Sequence, residues 1–144
     1  DVNLEDNTSD SLAYLMTHAE YMSRLTGEEY LILVCKAKGV AVPDLESKNV
    51  FELPLKKYAH DYSTGMKKKL ALMSNLIVPH DIFILDEPFN GVDLQSNLLI
   101  NEIIFKLKKE GKTIIMVTHD NNVARNADRI EFLKDGMIVK SRKK

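Results

Sequence analysis

The chain has 144 residues, of which 44% are hydrophobic and 28% are charged, and its formal net charge is −1. This length and composition fit one globular domain with a real core and exclude a disordered chain. The charge balance lacks the basic excess that nucleic-acid binding favours. The single cysteine excludes a disulfide scaffold and a cysteine-based zinc site.

The N-terminal stretch DVNLEDNTSD is acidic and polar, which is the opposite of a signal peptide, and it lacks an initiator methionine. No apolar run approaches the roughly 18 residues that a membrane-crossing helix needs. We therefore expect a fragment of a longer protein that is cytosolic or lies on the cytosolic face of a membrane.

The first half of the chain carries mainly helical signals. Thr26 is followed three residues later by Glu29, and this pair predicts a capping box at a helix start. The helix should end at Gly39, because glycine accepts the left-handed backbone that often follows a helix. Two prolines then predict short helices and loops, before a second helix that begins near Met66 and ends before the next proline.

The second half alternates between apolar strands and amphipathic helices. Residues 82–86 and 113–118 are continuous apolar runs that end in polar residues, as is typical of parallel strands buried on both faces. A helix is predicted between them at 94–109, with inward-facing Leu94, Leu98, Ile103 and Leu107. The strand–helix–strand order predicts an α/β fold with a parallel sheet and helical crossovers.

The C-terminal end predicts a short helix followed by a hairpin. The helix is expected over 122–127, and strands are expected over 130–133 and 137–140. Asp135 and Gly136 lie between these strands, and an Asp-Gly pair favours a tight hairpin turn because both positions need a positive φ.

Polar residues follow both predicted parallel strands, at the end where open α/β sheets bind ligands. Asp86 and Glu87 follow the first strand, where one carboxylate can hold Mg²⁺ and the other can polarise a water for attack on phosphate. His119 follows the second strand and can contact a phosphate oxygen or orient a water. Taken alone, the two acids could equally cap the next turn, and the histidine could be a satisfied turn residue.

Ser63, Thr64 and Gly65 come immediately before a predicted helix, where hydroxyl and N–H groups favour a bound phosphate. An ordinary serine N-cap explains the same residues. The lysines at 67–69 would attract anions or line a solvated face. The phosphate-binding pattern G-x-x-x-x-G-K-[ST] does not occur in the chain.

In their order along the chain, these motifs resemble those of the ATP-binding domain of ABC transporters. Glu87 is similar to the catalytic glutamate after the family's Walker B strand, His119 to its switch histidine, and Asp93 to its D-loop aspartate. An ungapped alignment puts Thr17 where the family has its Q-loop glutamine. The family's signature loop, Leu-Ser-Gly-Gly-Gln, is matched by Tyr62, Ser63, Thr64, Gly65 and Met66.

The resemblance implies a P-loop NTPase-type α/β fold with a small helical subdomain. Residues 1–19 would end the N-terminal core and contain the Q-loop, residues 20–61 would form the helical subdomain, and residues 62–144 would complete the core. The family's Walker A loop and N-terminal strands have no counterpart, and the first residues of the chain resemble the segment after them. In the family, the Walker A strand lies between the strands matched by residues 82–85 and 114–117. Because that strand is missing here, each of these two strands should expose a pairing edge.

The resemblance also implies an ATPase that couples ATP binding and hydrolysis to transport, with ATP and Mg²⁺ as cofactors. Asp86 would hold Mg²⁺ near Thr17, Glu87 would be the general base, and His119 would contact the γ-phosphate. The signature loop would bind ATP held by a partner domain, and Asp93 would signal across that dimer. Without a Walker A loop, we expect the 144-residue chain alone to be inactive.

The implied partners are a second ATP-binding domain, as a homo- or heterodimer, and a transmembrane permease, with no nucleic acid. The place of action would be the cytosolic face of the membrane. The Tyr-Ser-Thr-Gly-Met form of the signature loop is similar to that of drug or peptide exporters.

Three alternatives accompany this interpretation. A DNA-maintenance ATPase of the same superfamily would carry long coiled coils between Thr17 and Ser63, and the segment here is short. A translation factor with two ATPase halves fits the same motifs. A regulatory domain that does not hydrolyse ATP would fit Thr17 and the absent phosphate loop, but the intact Asp86, Glu87 and His119 argue against it.

Overall fold

The computed structural model describes residues 12–144. The stretch predicted to resemble the segment after the Walker A loop therefore lies outside the described residues. The described chain forms a three-stranded parallel sheet, a two-stranded antiparallel sheet and helical connections, which confirms the predicted α/β fold. Within residues 12–144, no helix combines the length and the apolar character needed to cross a bilayer.

The parallel sheet has β2 (Ile82–Asp86) at its centre, with β1 (Leu12–Leu15) and β3 (Thr113–Val117) on either side. In the β1–β2 register, Leu15 lies opposite Leu85, and both side chains are buried. The sequence indicates only an apolar stretch at β1, because so short a run shows no period that distinguishes a strand from a helix.

The strands β2 and β3 pair directly with each other over the full length of both. The expectation that both strands expose a pairing edge is therefore wrong for β2, which also pairs with β1, whereas β3 has an open edge within residues 12–144. Unpaired N–H and C=O groups on two neighbouring apolar strands would cost free energy, and direct pairing satisfies them. Because β3 lies at the sheet edge, its Ile115 and Val117 are 51% and 55% exposed, so the prediction that it is buried on both faces is also wrong.

Helix α1 (Gly27–Ala37) begins and ends as the sequence predicts. The Thr26 hydroxyl accepts a hydrogen bond from the Glu29 N–H, and the Glu29 carboxylate accepts one from the Thr26 N–H. Gly39 follows the helix with a φ of 65°, in the left-handed region that glycine adopts without strain. The capping box and this glycine therefore fix both ends of α1.

The segment after α1 contains the short helix α2 (Leu45–Lys48) and a 3-10 turn (Ala59–Asp61). Its apolar side chains share one core with those of the sheet. The cluster includes Ala13, Leu15, Leu31, Leu45, Phe51, Leu53, Leu55, Leu70, Phe83 and Leu85. Because one core spans both parts, the predicted domain boundaries at 19/20 and 61/62 stay predictions.

Helix α3 (Thr64–Ile77) crosses from the helical region back to the sheet. It buries Leu70 and Met73 in the core. Its last turn gives way to Val78 in an extended conformation, because the proline that follows disfavours the helical backbone at that position.

Helix α4 (Leu94–Lys109) connects β2 to β3, and two of its four predicted inward residues, Ile103 and Leu107, pack on the core. Ile100 and Leu107 are buried, whereas Leu94 and Leu98 are 78% and 59% exposed. The helix carries apolar residues on more than one side, so its period alone does not fix which side packs inward. Packing against the sheet decides the rotation.

The C-terminal part consists of α5 (Asn121–Ala124) and a hairpin of β4 (Arg129–Lys134) and β5 (Met137–Lys143). The hairpin is confirmed, with both strands longer than predicted, and α5 is shorter than predicted. Asp135 and Gly136 have φ values of 51° and 77°, as a tight hairpin turn requires.

Candidate functional site

The carboxyl ends of the three parallel strands lie side by side. This arrangement brings together Thr17 after β1, Asp86 and Glu87 at the end of β2, and His119 after β3. Four of the predicted site residues therefore meet beyond the carboxyl ends of the strands, where open α/β sheets bind ligands.

Asp86 is contacted by Thr17, whose hydroxyl donates a hydrogen bond to the carboxylate oxygen Oδ2. Both groups offer hard oxygen ligands of the kind that Mg²⁺ prefers. Residues 12–144 contain no group of three or more His, Cys, Asp or Glu side chains that could hold a metal ion. The oxygen donors of Asp86 and Thr17 fit Mg²⁺, which proteins usually bind through one or two carboxylates.

The Glu87 carboxylate is held by the segment that follows β3. The main-chain N and the ring Nδ1 of His119 lie 3.0 and 2.8 Å from Glu87 Oε1, and the Thr118 hydroxyl lies 3.4 Å from Oε2. The Glu87 backbone has a φ of 47°, a left-handed conformation that costs a non-glycine residue about 1–3 kcal/mol. The surrounding contacts must therefore stabilise this backbone as well as orient the carboxylate.

His119 is the most exposed member of the group, with 81% of its side chain accessible. The hydrogen bond to Glu87 raises the pKa of His119 above its ordinary value, and the charges of Glu87 and Asp120 act in the same direction. The protonated ring donates Nδ1–H to Glu87 and directs Nε2–H away from it. His119 can therefore present a positive N–H group to an anion.

Ser63 forms the N-cap of α3. Its backbone is extended, and its hydroxyl oxygen accepts a hydrogen bond from the Met66 N–H at 3.2 Å. Ser63 and Thr64 are exposed, and Gly65 is half-buried. A serine cap of this kind satisfies one N–H of the first turn, so the remaining N–H groups can still bind an anion.

The loop after β2 packs on α3 of the same chain. A Cβ added to Gly65 would lie 2.7 Å from the Gly91 carbonyl oxygen, so only glycine permits this approach. The Lys69 ammonium forms an ion pair with Asp93 at 2.7 Å, and Asp93 also accepts the Ser96 N–H as the N-cap of α4. The bond from Lys69 is the main reason why the pKa of Asp93 lies well below its usual range.

Tyr62 departs from the predicted ligand-binding role. Its side chain is 4% exposed, and its hydroxyl donates a hydrogen bond to the Pro54 carbonyl at 2.7 Å. The same hydroxyl occupies the space that a side chain at Gly27 would need. The Tyr62 side chain therefore supports the start of α1 and offers no group to a ligand.

The sequence interpretation missed Lys68, which it treated as part of an exposed lysine run. Lys68 is only 4% exposed. It lies one helical turn before the buried Leu72, so its position on the inward face of α3 is the signal that identifies it.

Residues 45–125, more than half of the chain, match the family model described as "AAA domain, putative AbiEii toxin, Type IV TA system". Similar curated proteins are ATP-binding proteins of ABC transporters. One, from Methanocaldococcus jannaschii, is 44% identical over 80 residues, which cover 55% of this chain and 30% of that protein. Another is the macrolide export ATP-binding/permease protein MacB of Mannheimia succiniciproducens, which is 30% identical over 143 residues and matches 94% of this chain.

The chain spans 30% of the first of these proteins and 22% of the second. Among solved structures, it is similar to a dimeric ATP-binding cassette in a post-hydrolysis state bound to ADP and Pi. That similarity has a TM-score of 0.79 and 25% sequence identity, and it covers 93% of this chain and 63% of the cassette chain. The chain therefore belongs to this AAA-type family, as an ATP-binding domain of the ABC transporter kind.

Proposed function

We propose that the full-length protein is the ATP-hydrolysing subunit of an ABC transporter. It would couple ATP binding and hydrolysis, at a dimer of ATP-binding domains, to transport. The observation that carries this proposal is the meeting of Thr17, Asp86, Glu87 and His119 at the ends of three parallel strands. Membership of the family supports ATP as the substrate.

The contacts of these residues support the following roles. Asp86 and Thr17 would hold Mg²⁺, which supplies charge neutralisation for the phosphates when bound. Glu87 would accept a proton from the water that attacks the γ-phosphorus, with its carboxylate oriented by His119 and Thr118. His119 would contact a γ-phosphate oxygen through the ring nitrogen that faces away from Glu87.

The start of α3 would bind the ATP held by a second domain. Ser63, Thr64, Gly65 and Met66 offer hydroxyl and N–H groups at the positive end of a helix. Asp93 lies in the loop that packs on this helix, so it would carry signals between the two sites of the dimer. A similar solved cassette is described as dimeric, which supports this arrangement.

The remaining partner would be a transmembrane permease, and the domain would work at the cytosolic face of the membrane. Drug or peptide export is the proposed direction, supported by the similarity to a macrolide export protein. The near-neutral charge of the chain supports a role that involves no nucleic acid.

The central test is Glu87→Gln in the full-length protein. The amide keeps the shape of the side chain but cannot take the proton, so turnover should fall by about 10²–10⁴-fold. ATP should still bind and should hold the domains together as a dimer. Glu131→Gln, which changes a hairpin carboxylate bonded to Arg129 and Ser141, is the control and should keep normal turnover. Near-normal turnover in Glu87→Gln would contradict the assignment.

Ser63→Arg tests the role in trans. The bulky cation should weaken ATP-driven dimerisation more than it weakens ATP binding to one domain. An equal loss of monomer affinity would show that Ser63 acts on its own nucleotide.

Thr17, at the place of the family's glutamine, is the observation that favours a regulatory domain that binds ATP without hydrolysing it. A wild-type full-length protein that binds Mg-ATP but shows no turnover would establish that alternative.

A further inference from the structure

Lys68 places a buried ammonium group against the turn that carries Glu87. Its Nζ donates hydrogen bonds to the main-chain carbonyls of Glu87 at 2.7 Å and of Asn90 at 2.8 Å. The Asn90 N–H in turn donates to the Glu87 carbonyl at 3.1 Å. One side chain of α3 therefore bridges both ends of the turn that leaves β2.

Burying the Lys68 ammonium costs free energy. Removing an ammonium group from water costs several kcal/mol, and two neutral carbonyls compensate it only partly. Burial accordingly lowers the pKa of Lys68, against the opposing effects of the Glu87 and Asp86 charges. An apolar side chain of similar length would fill the same space without that cost, so the packing alone does not explain a lysine here.

The turn itself needs support, because Glu87 adopts its left-handed backbone within it. The carboxylate end of Glu87 is held by His119 and Thr118, whereas its carbonyl end is held by Lys68. The Asn90 N–H also donates to the Glu87 carbonyl, but it lies within the turn itself. Among the described residues, Lys68 is the group that bonds this carbonyl from α3.

We propose that Lys68 is a positioning residue for Glu87, which fixes the turn that aims the carboxylate and ties that turn to α3. This inference rests on the proposed ATPase function. The contacts Gly65–Gly91 and Lys69–Asp93 join the same helix to the same loop. The start of α3, where a second domain's ATP would bind, and the backbone of Glu87 therefore form one unit.

The test is Lys68→Met in the full-length protein, which keeps the length of the side chain and removes the ammonium. Because Lys68 acts through the backbone of Glu87 and touches no nucleotide, kcat should fall by about 10–100-fold with KM for Mg-ATP nearly unchanged. Hydrogen exchange at residues 87–93 should become faster. Lys67→Met, on the same helix at a less buried position, is the matched control and should keep the wild-type kcat and exchange.

Lys68→Gln is the conservative variant, because its amide retains N–H donors for the carbonyls. It should recover part of the lost kcat, and a side chain needed only for packing would show no such recovery. If Lys68→Met does not fold, the test uses Lys68→Gln alone. This variant must then show a lower kcat than the wild-type protein, without a higher KM for Mg-ATP.

Wild-type kcat in folded Lys68→Met and Lys68→Gln, alongside an inactive Glu87→Gln, would overturn this inference and leave the proposed function intact. Equal losses in Lys67→Met would also overturn it. If the wild-type protein hydrolyses no ATP, the proposed function fails, and hydrogen exchange at residues 87–93 then tests only whether Lys68 fixes the turn of Glu87.

Discussion

The strands β2 and β3 are each followed at their carboxyl end by a candidate catalytic residue, but the two residues are held in different ways. Strand β2 has a neighbour on each side, and its Leu85 is 1% exposed. Within residues 12–144, β3 has one neighbour, and its Val117 is 55% exposed. The side chains that follow differ in the same sense, with Glu87 20% exposed and His119 81% exposed.

The difference shows that the two residues are positioned by different forces. Glu87 is placed by a buried strand and by hydrogen bonds to both its carbonyl and its carboxylate. His119 stands at the end of an edge strand, and its ring is oriented mainly by Glu87. Changes in the core near β2 should therefore alter stability, whereas changes near β3 should act mainly on chemistry.

The largest expected effect separates the two strands by stability. Leu85→Ala should lower the free energy of unfolding by about 2–5 kcal/mol, because it leaves a cavity in the core. Val117→Ala, at the exposed end of β3, should change it by no more than about 0.5 kcal/mol. Denaturant unfolding of the 144-residue chain measures both, and equal losses would mean that β3 is as well packed as β2.

His119→Ala tests the opposite side of the comparison. If this residue contacts the γ-phosphate, kcat should fall by roughly 100-fold, since removing one positioned hydrogen-bond donor to transition-state charge costs on that order. Because its side chain is exposed, the free energy of unfolding should change by less than about 0.5 kcal/mol. His60→Ala, at another accessible histidine, is the control for both measurements, and a normal kcat in His119→Ala would remove it from the site.

A smaller effect is expected at Thr17, which orients Asp86 from the end of β1. Thr17→Val keeps the shape of the side chain and removes the hydroxyl, so the affinity for Mg²⁺ in the presence of ATP should fall about tenfold. Thr17→Gln, with the residue type that the family uses, should equal or exceed the wild-type turnover. An unchanged Mg²⁺ dependence in Thr17→Val would show that the hydrogen bond to Asp86 has no part in metal binding.

The smallest effect is the titration of His119 without nucleotide. Because the hydrogen bond to Glu87 raises its pKa, the charged pair should be complete below the ordinary histidine pKa and lost as the pH rises through the raised value. An NMR titration should place the midpoint above that of a free histidine, and Glu87→Gln should lower it. An identical midpoint in both proteins would contradict the contact between the two side chains.

Much of the local structure could be predicted because its causes are local. Thr26 and Glu29 form a capping box within one turn, and Asp135 with Gly136 forms a turn within two residues. Asp86, Glu87 and His119 were predictable as a group, because continuous apolar strands imply a parallel sheet whose carboxyl ends meet. Their chemical roles stay predictions.

Other features escaped the sequence interpretation because they depend on how elements meet. Helix α4 turns Leu94 and Leu98 outward, since several of its sides are apolar and the sheet selects one of them. The direct pairing of β2 with β3 reflects which backbone groups find partners, and no residue type encodes that choice.

The sequence by itself determined the helix ends, the parallel strands and the polar residues that follow them, because capping, period and strand direction act over a few residues. Only the tertiary structure decided that Thr17 bonds to Asp86, that Tyr62 belongs to the core, and that Lys68 holds the turn of Glu87. Each of these contacts joins residues that are distant in the chain or hidden by packing. Their energies depend on burial and on hydrogen-bond partners, which exist only once the elements have come together.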